Sequence, residues 1–148
     1  MWPFRRRAAS RGGDAASDGG RGGEHAGRRG RHGEQLARSF LRQLGLKVLA
    51  ANYRCPAGEV DLIALDASTR KTLDCDTLVF VEVKTRSPGQ LTSPESAVDD
   101  AKRNQMRKVA RYYQSARSAH DLAVRFDVIA VVLDPAGQAD IKHIPGAF

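Results

Sequence analysis

The sequence lacks any apolar run near the roughly 18 residues of a membrane span. Paired arginines near the start are not followed by the apolar core of an export signal, so export is not expected. Its two cysteines, Cys55 and Cys75, form no CxxC and no metal-ligand spacing. Reduced thiols in a cytoplasmic protein follow from that. Serine and cysteine nucleophile motifs are missing, and there are no internal repeats. His25, His32, His120 and His143 show no ligand spacing and read as ordinary surface residues.

Apolar residues are scarce at one end above all. Residues 1–33 hold nine of the 14 glycines and eight arginines against three acids, a net +5 of the total +7. A stretch with so little to bury is expected to be disordered, which sets residues 1–29 apart as an Arg/Gly-rich tail. RGG occurs at 11–13 and 21–23, a sequence type that contacts single-stranded nucleic acid. A merely solvated extension is the alternative. The remainder, residues 30–148, is nearly balanced in charge and long enough for one domain.

That remainder is patterned. "EQLARSFLRQL" (34–44) has apolar residues at helical spacing, with Gly45 as its stop. "LKVLAANYR" (46–54) and "EVDLIALD" (59–66) read as strands around a "PAG" turn. A polar linker, 67–77, leads to "LVFVEVKTR" (78–86), a third strand. Ser93 and Pro94 suit a helix start. Val98, Ala101, Val109, Tyr112, Tyr113 and Ala116 then recur with helical period, Asp99 and Asp100 interrupting or restarting the helix. "RFDVIAVVL" (125–133) and "IKHIP" (141–145) complete the strands. The expected architecture is α/β: a mixed central sheet of about five strands flanked by helices.

Several charged residues stand where strands and helices should be apolar. Alternation puts Val79, Val81 and Val83 on one face and Phe80, Glu82, Lys84 and Arg86 on the other. Asp61 lies in the second strand, where aspartate is depleted, and a hairpin would bring it beside the Glu82/Lys84 row. Glu34 flanks the stripe of the first helix, and Lys102 and Gln105 interrupt that of the second. Packed carboxylates repel unless something neutralises them. A hard cation such as Mg²⁺ or Mn²⁺ does so through oxygen ligands and can activate water toward a phosphodiester. A nearby lysine can stabilise developing negative charge. The alternative is a solvent face with an Asp61–Lys84 ion pair. Asp127 reads as structural, paired to Arg125.

"GEVDLIALD", "VFVEVKTR" and "RFDVIAVV" together resemble the YraN family, UPF0102, from about Gly30 to Ile144. That family belongs to the PD-(D/E)xK restriction-endonuclease-like superfamily and is similar to archaeal Holliday junction resolvases. The resemblance implies an endonuclease-like core with Asp61 as central metal ligand, Glu82 as second carboxylate ligand, Glu34 assisting and Lys84 as catalytic lysine. Lys102 and Gln105 match positions on the phosphate side, and Arg86 and Arg103 are further candidates for nucleic-acid contact. The function implied is a Mg²⁺- or Mn²⁺-dependent nuclease acting on DNA, branched or repair-related. A non-cleaving nucleic-acid-binding module using "KRNQMRKVARYY" (102–113) is the rival expectation, and an interaction protein with an ion-pair network at the site is a third.

Overall fold

The fold is taken from a computed structural model that describes residues 7–8, 22–89 and 98–148. Among the described residues six strands form one sheet: β1 (Arg7–Ala8), β2 (Lys47–Cys55), β3 (Gly58–Asp66), β4 (Thr77–Arg86), β5 (Ala123–Leu133) and β6 (Ala139–Ile144). Their spatial order is β1-β6-β5-β4-β3-β2. Only β4 and β5 pair in parallel; the other neighbours are antiparallel. Helix α1 (Gly22–Gln43) covers one face and α3 (Asp100–Ala116), the crossover between β4 and β5, covers the other.

The central pair is the most apolar because it is covered twice. Val79 and Val81 of β4 pack with Ala37, Phe40 and Leu41 of α1. Leu78 and Phe80, one residue out of phase, pack with Met106, Val109 and Tyr113 of α3. The α/β architecture expected from the pattern is the one observed.

Helix α1 ends as its sequence indicates. Gly45 has φ +86°; its N–H donates to Arg42 O at 3.0 Å, and that of Leu46 to Leu41 O at 3.0 Å. These are the two bonds of a Schellman cap, and φ > 0 is why glycine stands there. The start differs from expectation, because α1 reaches back to Gly22 through residues 22–33 of the glycine-rich segment. Gly33 supplies a reason: a Cβ on it would stand 1.9 Å from Thr85 Oγ1. The glycine lets helix and strand approach closely there, a tertiary fit that outweighs poor helix propensity. Arg7–Ala8, also in the expected tail, form β1 against β6, and the rest of that tail, including RGG at 11–13, lies outside the described residues. So does the helix start at Ser93–Pro94.

Other corrections are smaller. The linker after β3 is not merely polar loop, since residues Ala67–Thr69 form a 3-10 turn and Arg70–Leu73 a short helix, α2. Asp99 does not interrupt α3 but caps it, its Oδ1 accepting the Lys102 N–H at 2.8 Å. The buried stripe of α3 is Met106, Val109, Ala110 and Tyr113, whereas Tyr112 is 42% exposed and Ala116 lies on the surface.

Asp127 is paired to Arg125 as expected, at 2.9 Å and 3.1 Å. His143 is not a surface residue: its Nε2 lies 2.9 Å from Asp127 Oδ2, and its ring meets Phe40 edge-on at 5.9 Å. The Gly146 N–H donates to Asp127 Oδ1 at 3.0 Å, and Arg125 also donates to Asp66 Oδ2 at 2.9 Å. Burial opposes ionisation of Asp127, but bonds from His143, Arg125 and Gly146 outweigh it and hold the carboxyl below its ordinary range.

Candidate active site

Two neighbouring strands part company where the misplaced carboxylate sits. The β3–β4 ladder runs from Asp66↔Thr77 to Leu62↔Val81 and stops there. Beyond it β4 continues paired to β5 alone, through Glu82 to Arg86. Asp61 is the first residue past the split. Val60 packs toward α3 and Leu62 toward α1, so strict alternation breaks at Asp61. Its Oδ2 accepts the Val83 N–H at 2.7 Å, substituting for the ladder that has ended.

The opening forms a cleft of about 300 Å³ between β4 and the N-terminal half of α1. Asp61, Glu82 and Glu34 line it, together with Arg86 and Ser87 from the end of β4 and Arg29 and Gly30 from α1. Glu34 is held by Asn52 of β2, whose Nδ2 donates to Glu34 Oε2 at 3.0 Å. Asn52 adopts φ +50°, a left-handed conformation uncommon for a residue other than glycine. Arg29 is fixed by donating to Ser87 Oγ at 2.9 Å.

Glu82 is 5% exposed. Lys84 Nζ contacts its Oε1 at 2.9 Å, and Lys102 Nζ, from α3, stands 3.1 Å from Oε2. The second contact is charge without a directed hydrogen bond, because Oε2 is buried and accepts none. Asp61 is pushed up to about 6: burial raises it most, and the charge of Glu82 adds to that. The Val83 N–H and the charge of Lys102 oppose the rise, while Glu34 contributes to it.

Among the described residues no three His, Cys, Asp or Glu side chains stand grouped as a ready-made metal cage. The donor set still suits a small hard cation, which takes one or two carboxylates and keeps several waters. Asp61 is reluctant to carry its charge beside Glu82, and Glu82 Oε2 has an unused lone pair. Both oxygens would gain from a cation between them.

The span of the chain that carries this geometry matches the model of the uncharacterised protein family UPF0102, over residues 33–131. The chain belongs to the UPF0102 family. A UPF0102 protein of Pelobacter propionicus is 42% identical over 116 residues, covering 78% of this chain and 79% of the relative. That of Moorella thermoacetica is 39% identical over 117 residues, 78% of this chain and 91% of its own. That of Beutenbergia cavernae is 41% identical over 114 residues, with coverages of 77% and 90%.

Within the UPF0102 span, the structure gathers Glu34, Asp61, Glu82 and Arg86 in the cleft and ties Lys84 and Lys102 to it through Glu82. Two other candidates lie elsewhere. Gln105 packs on the β2–β3 turn, where a Cβ on Gly58 would come within 2.6 Å of its Cγ. Arg103 bonds to Val98 O at 2.9 Å and lies over the Phe148 ring at 5.5 Å.

Arg29 and Asn52 are contributors that sequence reasoning missed. Arg29 is hidden in a glycine-rich run whose helical state rests on a tertiary fit. Asn52 did carry a signal, as asparagine is depleted in strands and suits a left-handed backbone. No helix among the described residues is long and apolar enough to cross a membrane.

Proposed function

We propose that this UPF0102 protein is a nuclease that hydrolyses phosphodiester bonds in DNA with Mg²⁺ or Mn²⁺, as its resemblance to the PD-(D/E)xK superfamily implies. The observation that carries the reading is the convergence of Asp61 and Glu82 where β3 and β4 separate, with two lysines on Glu82. Asp61 and Glu82 would hold the cation, with Glu34 assisting. When bound, the cation would lower the pKa of a water and neutralise phosphate charge.

The chain's own groups supply the rest. The Val83 N–H fixes the Asp61 carboxylate, and Asn52 fixes that of Glu34. Arg86 and Arg29, lining the same cleft, suit the non-bridging oxygens of a phosphate. Lys84, paired with Glu82 at 2.9 Å, would stabilise charge as water adds to phosphorus and the P–O bond to the leaving sugar oxygen breaks.

Cleavage of labelled linear, single-stranded and four-way DNA with either metal tests this. Asp61→Asn and Lys84→Ala should each lower it by about 100-fold or more, on the scale of losing one charge-stabilising group, while circular dichroism stays native. Unchanged cleavage in both variants would overturn the assignment.

A non-cleaving nucleic-acid-binding module is the second reading. Exposed Tyr112, beside Lys108 and Arg111 on α3, favours it by offering a stacking ring next to phosphate-binding charge. Salt-sensitive binding without cleavage under any metal would select it.

A further inference from the structure

A second hollow, of about 350 Å³, adjoins the cleft and shares Arg29 and Ser87 with it. The shared wall is a hydrogen bond, from Arg29 Nη1 to Ser87 Oγ at 2.9 Å. Beyond it the lining changes character: Pro88, Leu133 and Pro135 give an apolar surface, and His32 of α1 adds a flat aromatic ring. Asp134 is also present, but its Oδ1 accepts the Gln138 N–H at 2.7 Å within the β5–β6 turn.

We infer that this hollow is a nucleobase subsite, so that the neighbouring phosphate cleft takes a nucleotide unstacked from its strand. The inference rests on the nuclease reading for the phosphate side. Its volume falls in the range of small-molecule pockets, which are mostly apolar with a few polar groups. A nucleotide has the matching parts in the matching order, an anion joined through a sugar to a flat, largely apolar ring. Arg29 stands at the junction, where the phosphate would hand over to the sugar and base. Bases removed from a duplex are bound by stacking on aromatic rings, histidine included, and on apolar side chains.

A base inside an intact duplex cannot enter such a hollow without leaving its stack. The substrate class is therefore single-stranded or branched nucleic acid rather than uninterrupted duplex. His32, Leu133 and Pro135 all fall outside residues 33–131, the span matched by the family model.

The test measures binding of the full chain in EDTA, where no cutting interferes. Fluorescent thymidine 12-mer is compared with an abasic 12-mer carrying the same phosphates and with a paired duplex. The thymidine strand should bind about tenfold more tightly than the abasic one, the worth of roughly one stacked base. The duplex should bind more weakly than the thymidine strand. His32→Ala should remove the tenfold preference without weakening the abasic strand, and His32→Phe should restore it. Pro135→Glu, at an exposed position, should abolish the preference as well, which covers a poorly folding His32 variant.

Equal binding of thymidine and abasic strands would overturn the subsite. So would loss of affinity for both strands alike in His32→Ala. The same proteins are assayed for cleavage with Mn²⁺. Cutting with base-blind binding removes the subsite alone, whereas base-dependent binding with no cutting removes the nuclease reading alone.

Discussion

Lys102 of α3 and Glu82 of β4 meet with Nζ 3.1 Å from Oε2. A buried carboxylate is thereby bracketed by two cations, because Lys84 Nζ stands 2.9 Å from the other oxygen. Either lysine alone leaves Glu82 paired. Lys84→Met and Lys102→Met should therefore each destabilise the fold only modestly, by about 1 kcal/mol. The double variant should lose about 3–5 kcal/mol, because it strands a buried charge. Urea unfolding of the four proteins gives the coupling, and additive losses would show that Glu82 does not depend on them jointly.

Asp61 gives a pH dependence whose sign is the reverse of an ordinary salt-bridged aspartate. Burial and the charge of Glu82 lift its pKa from 3.8 in an unfolded chain to about 6. The native state then holds the proton more tightly, so stability falls as pH rises from about 4 to about 6 and stays low above that. Asp61→Asn keeps an oxygen for the Val83 N–H and removes the charge. It should raise stability at pH 8 by up to about 3 kcal/mol, since each pKa unit corresponds to about 1.4 kcal/mol. The gain should vanish near pH 4. Mg²⁺ or Mn²⁺ should raise the melting temperature of the wild type at pH 8 and leave that of Asp61→Asn unchanged, which probes the cation independently of any cleavage.

Asp66 and Asp127, joined through Arg125, titrate in the usual sense for hydrogen-bonded aspartates. Burial opposes ionisation of both aspartates, but their hydrogen bonds outweigh it and depress both pKa values. Their stabilisation is present above the unfolded value of 3.8 and is lost as pH falls through the lower folded values. Arg125→Met should destabilise the protein by about 3–5 kcal/mol at pH 7, because Asp127 is 0% exposed and loses its principal cation. The deficit should shrink below pH 4, where protonated Asp127 no longer needs the guanidinium. A deficit independent of pH would point instead to lost packing.

What the sequence displayed and what it concealed divide along physical lines. The central strands β4 and β5 were legible because burial on both faces leaves an apolar run, and Gly45 because its backbone needs positive φ. Glu34, Asp61, Glu82 and Lys102 were legible as misfits, charges on stripes that should be apolar. Helix α2 was not, since four residues carry no period. His143 gave no sign because its partner, Asp127, lies one strand away. The first turns of α1 were concealed most deeply. Their residues argue against helix, and only contact with β4 argues for it.

That contact makes a last prediction. A Cβ on Gly33 would fall 1.9 Å from Thr85 Oγ1, 3.2 Å from its Cγ2 and 3.0 Å from its Cβ. Gly33→Ala forces either a new Thr85 rotamer or a retreat of α1 from β4. Intrinsic helix propensity alone would make the change stabilising by about 1 kcal/mol. Overpacking should reverse the sign, to a loss of about 1–3 kcal/mol. Thr85→Ala removes Oγ1, the nearest atom, together with Cγ2, and should restore most of that loss in the double variant. Because Glu34 is the next residue on α1, Gly33→Ala should also disturb its 3.0 Å bond to Asn52, visible as a shift of the Asn52 side-chain amide signals by NMR. A stabilised Gly33→Ala protein with unshifted signals would mean that α1 does not seat on β4 through this glycine.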